Sequence, residues 1–314
     1  MGFANSSKAN RFWLCPLYSF NGYSESVELA EGIQIKAISV LPGLSKYIQG
    51  RSRGLYGQWD NPSEYNAVLL LPYHAGGKGV SGPTELARIG YLENDRARDL
   101  LFDLVTALRL CHEGKITAGP LISSIVKPDS GWSFGGTTVW TLVSKRDFLH
   151  QDPEYALNQS DVPLANELVG NLAKLRKLEK LDAINIALRR FNSAYHGYIE
   201  DRIIDQMIAF ESLYIGGERG IKKKLAERTA SLLGGGQASK DKIFDEMKDA
   251  YKKRCDLVHV IKDVTREELG EIVPKTEEYL RLSIRKFLSL LSEGKSLEDI
   301  RNKLEKISRE WNKS

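Results

Sequence analysis

Apolar residues in the second half of the chain recur at helical spacing over long segments with few breakers. This pattern predicts seven helices, near residues 164–180, 182–197, 200–215, 219–233, 239–255, 264–292 and 296–311. Glycines at 216, 217 and 220 and at 234–236 predict turns between consecutive helices. Because the connections are short, neighbouring helices should pack against one another, and we expect a helical bundle.

The first half alternates aromatic and β-branched runs with Gly, Pro and Asn, a pattern typical of strands and loops. Strands are predicted at 11–20, 27–40, 66–72, 116–126 and 132–143, with a turn inside 131–138. One amphipathic helix is predicted from Asn94, which can cap its start, to His112, with Gly114 ending it. His112 and His150 have no evident partner in the sequence.

Together these patterns predict an α+β protein, with a β-rich domain over residues 1–160 and an all-α antiparallel bundle over residues 161–314. No run of about 18 apolar residues occurs, so we expect no membrane partner. The start of the chain lacks the basic-then-apolar pattern of a secretory signal. Three sparse cysteines favour a reducing compartment and disfavour a metal site. We therefore expect a cytoplasmic protein without metal or cofactor.

The positive charge of the chain is concentrated in its second half. About 30 of the 45 Lys and Arg residues lie after residue 160, together with about 26 of the 41 acids. The first half is therefore close to neutral, and the net charge of +4 resides in the predicted bundle. Such a distribution permits contact with a polyanion without requiring it, because a solvated helical surface accounts for most of these charges.

Two charged residues are predicted to lie on apolar helix faces. Glu211 shares a face with Ile204, Met207, Ile208 and Ile215, and Arg228 lies at the edge of the Leu225, Thr229 and Leu232 face. A buried glutamate is costly unless it is paired. We therefore predict that Glu211 pairs with Arg228 across two helices. The rival interpretation is that Glu211 belongs to an active site.

The segment Arg254–His259 carries the residues with the clearest chemistry. A histidine can transfer protons near neutral pH, and an arginine can hold a phosphate through its planar fork of donors. Five residues on a straight helix place the two side chains about 140° apart, so they cannot both reach one phosphate. Either the helix ends between them, or a second copy of the chain completes the site.

Residues around this pair are assigned further roles. Asp256, between the two, can orient either side chain, and Lys252 and Lys253 can contact the phosphates of a polyanion. The preceding helix is expected to turn a set of residues inward: Ile243, Met247, Ala250 and Tyr251.

Three stretches of the second half, in this order, resemble the HEPN domain, and more closely its Apea-like branch: Asp201–Tyr214, Leu225–Leu233 and Tyr251–His259. The family pattern has an acidic-start helix with a Glu before its last turn, an Arg-centred helix, and then an arginine and a histidine four to six residues apart. The resemblance covers roughly residues 160–292, under half of the chain. It implies a HEPN-type bundle that dimerises face to face, with one composite site built from two copies.

Active members of that family resemble metal-independent endoribonucleases, many of them in phage-defence or toxin systems. Carried onto this chain, His259 would assist proton transfer at the ribose 2′-hydroxyl or the leaving oxygen, and Arg254 would stabilise the transition-state charge. The substrate would be RNA, with tRNA as one candidate, and Lys252 and Lys253 would be RNA-binding residues. The first domain would receive a phage-derived or cellular trigger.

One departure from the family pattern concerns the residue after the histidine. The family commonly has a small residue there, whereas this chain has Val260, which is β-branched and cannot comfortably adopt a positive φ. The alternative function is therefore a catalytically inactive HEPN module that binds nucleic acid or protein, or that dimerises.

Overall fold

A computed structural model divides the chain into two compact units, one comprising Met1–Lys145 with Asp152–Val169, the other Arg146–Gln151 with Gly170–Ser314. The structure describes residues 10–18, 20–22, 26–29, 32–37, 41, 43–44, 65–72, 83–114, 116–119, 121–127, 131–139, 155–178, 182–195, 197–259 and 262–311. The sequence placed the boundary of the two domains at residue 160, whereas the last division of the chain falls between Val169 and Gly170.

The first unit is built around an antiparallel sheet. Its strands are β1 (Asn10–Tyr18), β3 (Ser26–Glu28), β4 (Gln34–Ala37), β5 (Tyr65–Pro72), β6 (Thr117–Ala118), β7 (Leu121–Lys127) and β8 (Gly131–Val139). Within the described residues, these seven strands take the order β3-β4-β5-β1-β7-β8, and β6 pairs with β1. Two further strands, β2 (Phe20–Gly22) and β9 (Tyr155–Leu157), pair in parallel.

The centre of the sheet is covered on both faces. In β1 the adjacent residues Leu14 and Cys15 point to opposite faces, yet neither is exposed to solvent. Their partners in β5 are Leu70 and Leu69, which are also buried. Continuous burial along paired strands explains why the sequence shows apolar runs here rather than strict alternation.

Three features of the first unit differ from the sequence analysis. The helix α1 spans Pro83–Cys111, so it begins eleven positions before the predicted start at Asn94. A proline fits the first turn of a helix because its missing N–H has no partner to lose there. The predicted turn inside 131–138 is instead part of β8. His112 also has a neighbour that the sequence did not reveal, since its Nε2 lies 2.9 Å from Asp161 Oδ2.

The second half is mostly helical, as the sequence predicted. After a short 3₁₀ turn at Gln159–Asp161 come α2 (Val162–Leu175), α3 (Asp182–Ser193), α4 (Ile199–Tyr214), α5 (Ile221–Leu233), α6 (Gln237–His259), α7 (Arg266–Ser292) and α8 (Leu297–Trp311). Glycine turns join α4 to α5 and α5 to α6 where they were predicted, and Gly217 and Gly220 have positive φ. None of the described helices combines the length and apolar character needed to cross a membrane.

The core of the helical part lies between α4 and α7. Met207, Phe210 and Tyr214 of α4 are fully buried, and the Tyr214 hydroxyl donates to Ser283 Oγ at 2.7 Å. Phe287 of α7 packs edge-on against the Tyr214 ring. The predicted face of α4 is partly wrong, because Ile204 and Ile208 are only half-buried while Phe210 and Tyr214 point inward.

Candidate active site

Helix α6 carries both Arg254 and His259 and runs without interruption from Gln237 to His259. The predicted end at residue 255 is therefore wrong by about one turn. Because the helix does not end between Arg254 and His259, the first of the two predicted ways to bring them to one phosphate is excluded. With about 100° per residue, the side chains leave α6 about 140° apart. If Arg254 and His259 act on the same phosphate, the two side chains must therefore come from two copies of the chain.

The guanidinium of Arg254 points toward α4, where its acidic neighbour is Glu211. Arg254 Nη2 lies 4.0 Å from Glu211 Oε1, and the two side chains are 20% and 26% exposed. Arg254 Nε and Glu211 Oε1 are themselves buried and have no hydrogen-bond partner among the residues that the structure describes. Buried polar atoms without partners are rare and often mark sites of function. The Glu211–Arg254 pair is therefore the strongest candidate for such a site.

Tyr251, one turn before Arg254, completes this cluster. Its ring centre lies 5.8 Å from the guanidinium carbon of Arg254, and its hydroxyl donates to the Glu211 carboxylate. Partial burial raises the pKa of Tyr251, and the negative charge of Glu211 raises it further. Tyr251 was predicted to face the bundle interior; it is half-buried, whereas Ile243, Met247 and Ala250 are buried as predicted.

The substitution Glu211→Gln is expected to lower the pKa of Tyr251 toward the usual value for tyrosine, because it removes the neighbouring negative charge but keeps the side-chain shape. An alkaline titration of protein labelled with ¹³C at tyrosine Cζ measures the change. Tyr279 is the matched control, since its pKa is raised by burial and by Glu246 instead. An unchanged Tyr251 titration would show that Glu211 does not act on this ring.

The predicted pairing of Glu211 with Arg228 is wrong. Arg228 instead lies 2.8 Å from a carboxylate oxygen of Glu218 and 2.8 Å from one of Glu305, and it donates to the Tyr214 carbonyl at 2.6 Å. Arg228 points toward the segment after α4 and toward α8, whereas Glu211 points toward α6. Glu211 instead lies beside Arg254, and the rival interpretation, in which Glu211 belongs to an active site, stays a prediction.

The two lysines proposed to bind RNA have different environments. Lys253 is largely buried, with 14% of its side chain exposed, and its Nζ lies 3.1 Å from Glu268 Oε1. This contact ties α6 to the first turn of α7 and makes Lys253 mainly structural. Lys252 is exposed. Because it is seven residues before His259, it lies on nearly the same helix face and can attract a polyanion toward that histidine.

Asp256 and His259 also lie in different surroundings. Asp256 is 9% exposed and makes no hydrogen bond or ion pair with Arg254 or His259 in the described part of the chain. The orienting role proposed for Asp256 therefore has no contact to support it. His259 is exposed at the C-terminal end of α6, beside Val258, an exposed apolar residue. Val260, whose effect on the following turn was in question, lies outside the described residues.

Sequence reasoning missed a second set of residues on α6. Phe244, Lys248 and Tyr251 follow one another at spacings of four and three, so they share one face of the helix. Together with the start of α5 they line a cavity. The spacing is visible in the sequence, but Tyr251 was assigned to the bundle interior and Phe244 was given no role.

Comparisons of the chain with protein-family models, with curated proteins and with solved structures gave no match. The resemblance to the Apea-like HEPN branch thus rests on the three quoted stretches of sequence alone. In the part of the chain that the structure describes, no group of three or more His, Cys, Asp or Glu side chains is arranged to hold a metal ion.

Proposed function

We propose that the chain is a metal-independent endoribonuclease whose site is completed by a second copy of the chain. The observation that carries this proposal is the unbroken course of α6 through His259. It leaves His259 exposed at the helix end while Arg254 points toward Glu211, on a different side of the helix. A dimer in which two α6 helices meet would bring His259 of each copy near Arg254 of the other.

The reaction would proceed by attack of the ribose 2′-oxygen on the adjacent phosphorus. The imidazole of His259 accepts the 2′-hydroxyl proton, the bond from phosphorus to the 5′-oxygen breaks, and that proton is passed through water to the 5′-oxygen. The products are a 2′,3′-cyclic phosphate and a 5′-hydroxyl, so atoms and protons balance. In a dimer, His259 comes from one copy and Arg254 from the other, and Arg254 stabilises the charge that develops on the non-bridging oxygens.

Several features of the described residues support this assignment. Glu211 and Tyr251 hold the Arg254 side chain on one side, which limits the orientations it can adopt before a phosphate arrives. Val258 is exposed next to His259 and would become covered in such a dimer. The helical half would then be a HEPN-type bundle acting in the cytoplasm in phage defence or as a toxin, with its trigger received by the first unit.

The test is cleavage of a structured RNA such as tRNA by the purified protein in excess EDTA. Cleavage with 2′,3′-cyclic phosphate ends is expected, and His259→Ala should slow it by a factor of about 100 or more, since general acid–base groups contribute that much. The variant His112→Ala removes a histidine of the first unit and should retain activity. If wild type and His259→Ala bind the RNA equally and neither cleaves it, the chain is a binding module instead.

A further inference from the structure

A cavity of about 730 Å³ opens where the start of α5 meets one face of α6. Its basic residues are Arg219, Lys222, Lys223 and Lys248. Its apolar wall includes Ile221 and the rings of Phe244 and Tyr251. Positive side chains around aromatic rings are the combination that binds single-stranded nucleic acid, since lysines meet phosphates and rings stack on bases.

The basic residues at the start of α5 lie where positive charge is unfavourable. Amide N–H groups give the first turn of a helix a partial positive charge, which favours acids over lysines. The first turn of α5 nevertheless contains no acid. Lys224 pairs with Glu218 and Lys223 with Glu227, but Lys222 has no hydrogen bond or ion pair within the described residues. An unpaired, half-buried lysine at this position costs stability, and an anionic ligand would offset that cost.

The one acid that lines the cavity does not cancel its charge. Glu218 is already held by Arg228 at 2.8 Å and by Lys224 at 2.5 Å. Hydrogen bonds from Arg228 and from Lys224 lower the pKa of Glu218 to about 2, so its carboxylate stays ionised and bound to these two residues. The remaining cations, Arg219, Lys222 and Lys248, face the cavity and are available to a ligand.

The cavity lies on the same helix face as His259. Lys248, Lys252 and His259 leave α6 within about 40° of one another, at 100° per residue. Lys248 is eleven residues before His259, which corresponds to about 16 Å along the helix axis. A strand that follows this face therefore runs from the cavity, past the exposed Lys252, to His259 within a few nucleotides.

From this arrangement we infer that the cavity is a subsite for single-stranded RNA, in which Lys222 and Lys248 bind phosphates a few nucleotides from the bond that is cut. The inference rests on the proposed ribonuclease function, because it assigns the cavity to the flanking part of the same substrate. Phe244 and Tyr251 supply the ring surface for a base, and Lys248 Nζ already lies 4.8 Å from the Phe244 ring centre.

The test measures binding of a fluorescent oligouridylate to the full chain carrying His259→Ala, which prevents cleavage during the titration. Adding Lys222→Glu and Lys248→Glu is expected to weaken binding at least tenfold. It should also reduce the slope of log affinity against log salt by about 1.4, because each phosphate contact on a single strand contributes about 0.7. The pair Lys222→Arg and Lys248→Arg keeps both charges and should retain binding if the fold is intact.

Lys242→Glu is the matched control, since Lys242 is an exposed lysine on α6 that does not line the cavity. Equal affinities and equal salt slopes for this control and for the Lys222→Glu, Lys248→Glu pair would overturn the subsite. Displacement of the oligonucleotide by polyglutamate at an equal concentration of negative charge would also overturn the subsite, because it would indicate an acidic protein as the ligand. Failure of the wild type to cleave RNA would contradict the proposed function. The binding titration tests RNA binding at the cavity independently of cleavage.

Discussion

Mixing the variants Arg254→Ala and His259→Ala, each inactive alone, is expected to restore RNA cleavage. A mixed dimer contains one intact histidine and one intact arginine on opposite copies, which is the pair that the 140° separation on α6 requires. With random exchange of subunits, half of the dimers are mixed. A wild-type dimer has two arginine–histidine pairs across its copies and a mixed dimer has one, so activity should reach roughly a quarter of wild type.

The control for this experiment mixes each variant with the double variant Arg254→Ala, His259→Ala. These mixtures contain no arginine and histidine on opposite copies, so they should stay inactive. Activity is measured from the rate of cyclic-phosphate formation after the subunits have exchanged at low protein concentration. If the mixture of single variants stays as inactive as these controls although mixed dimers form, one chain must bring both residues to the same phosphate.

The sequence predicted the elements of this protein better than their partners. Periodicity and glycine turns located the helices of the second half, because amphipathic spacing and chain reversals are local properties. Which helices face each other depends on contacts distant in the sequence. Glu211 was therefore predicted to pair with Arg228 on α5, whereas its neighbour is Arg254 on α6.

The end of α6 illustrates a second limit of local reasoning. Residues 255–259 contain neither Gly nor Pro, so nothing in the sequence required the helix to stop at 255. Burial of Asp256 and the contact of Lys253 with Glu268 extend the packed part of α6 toward α7. The prediction placed the end too early because no capping or breaking residue in the sequence marks the end of this helix.

The substitution Arg228→Met is expected to lower the free energy of unfolding by about 3 kcal/mol, the lower end of the range for breaking a buried ion pair. Only 4% of the Arg228 side chain is exposed, and it bridges Glu218 and Glu305. Methionine keeps most of the volume but leaves both carboxylates without this partner and the Tyr214 carbonyl without its donor. A urea titration followed by far-ultraviolet circular dichroism measures the loss.

Arg309→Met is the matched control, because Arg309 also pairs with Glu305 but is 73% exposed, and exposed ion pairs contribute little.

The stabilities of the Arg228→Met and Arg309→Met variants should also respond differently to acid. Hydrogen bonds from Arg228 and Lys224 lower the pKa of Glu218 from 4.5 to about 2, so its contribution is present above pH 4.5 and is lost as the pH falls toward 2. Wild type and Arg309→Met should lose stability across that window, whereas Arg228→Met should lose less. Equal acid sensitivity of all three proteins would show that Arg228 does not hold Glu218 in its ionised form.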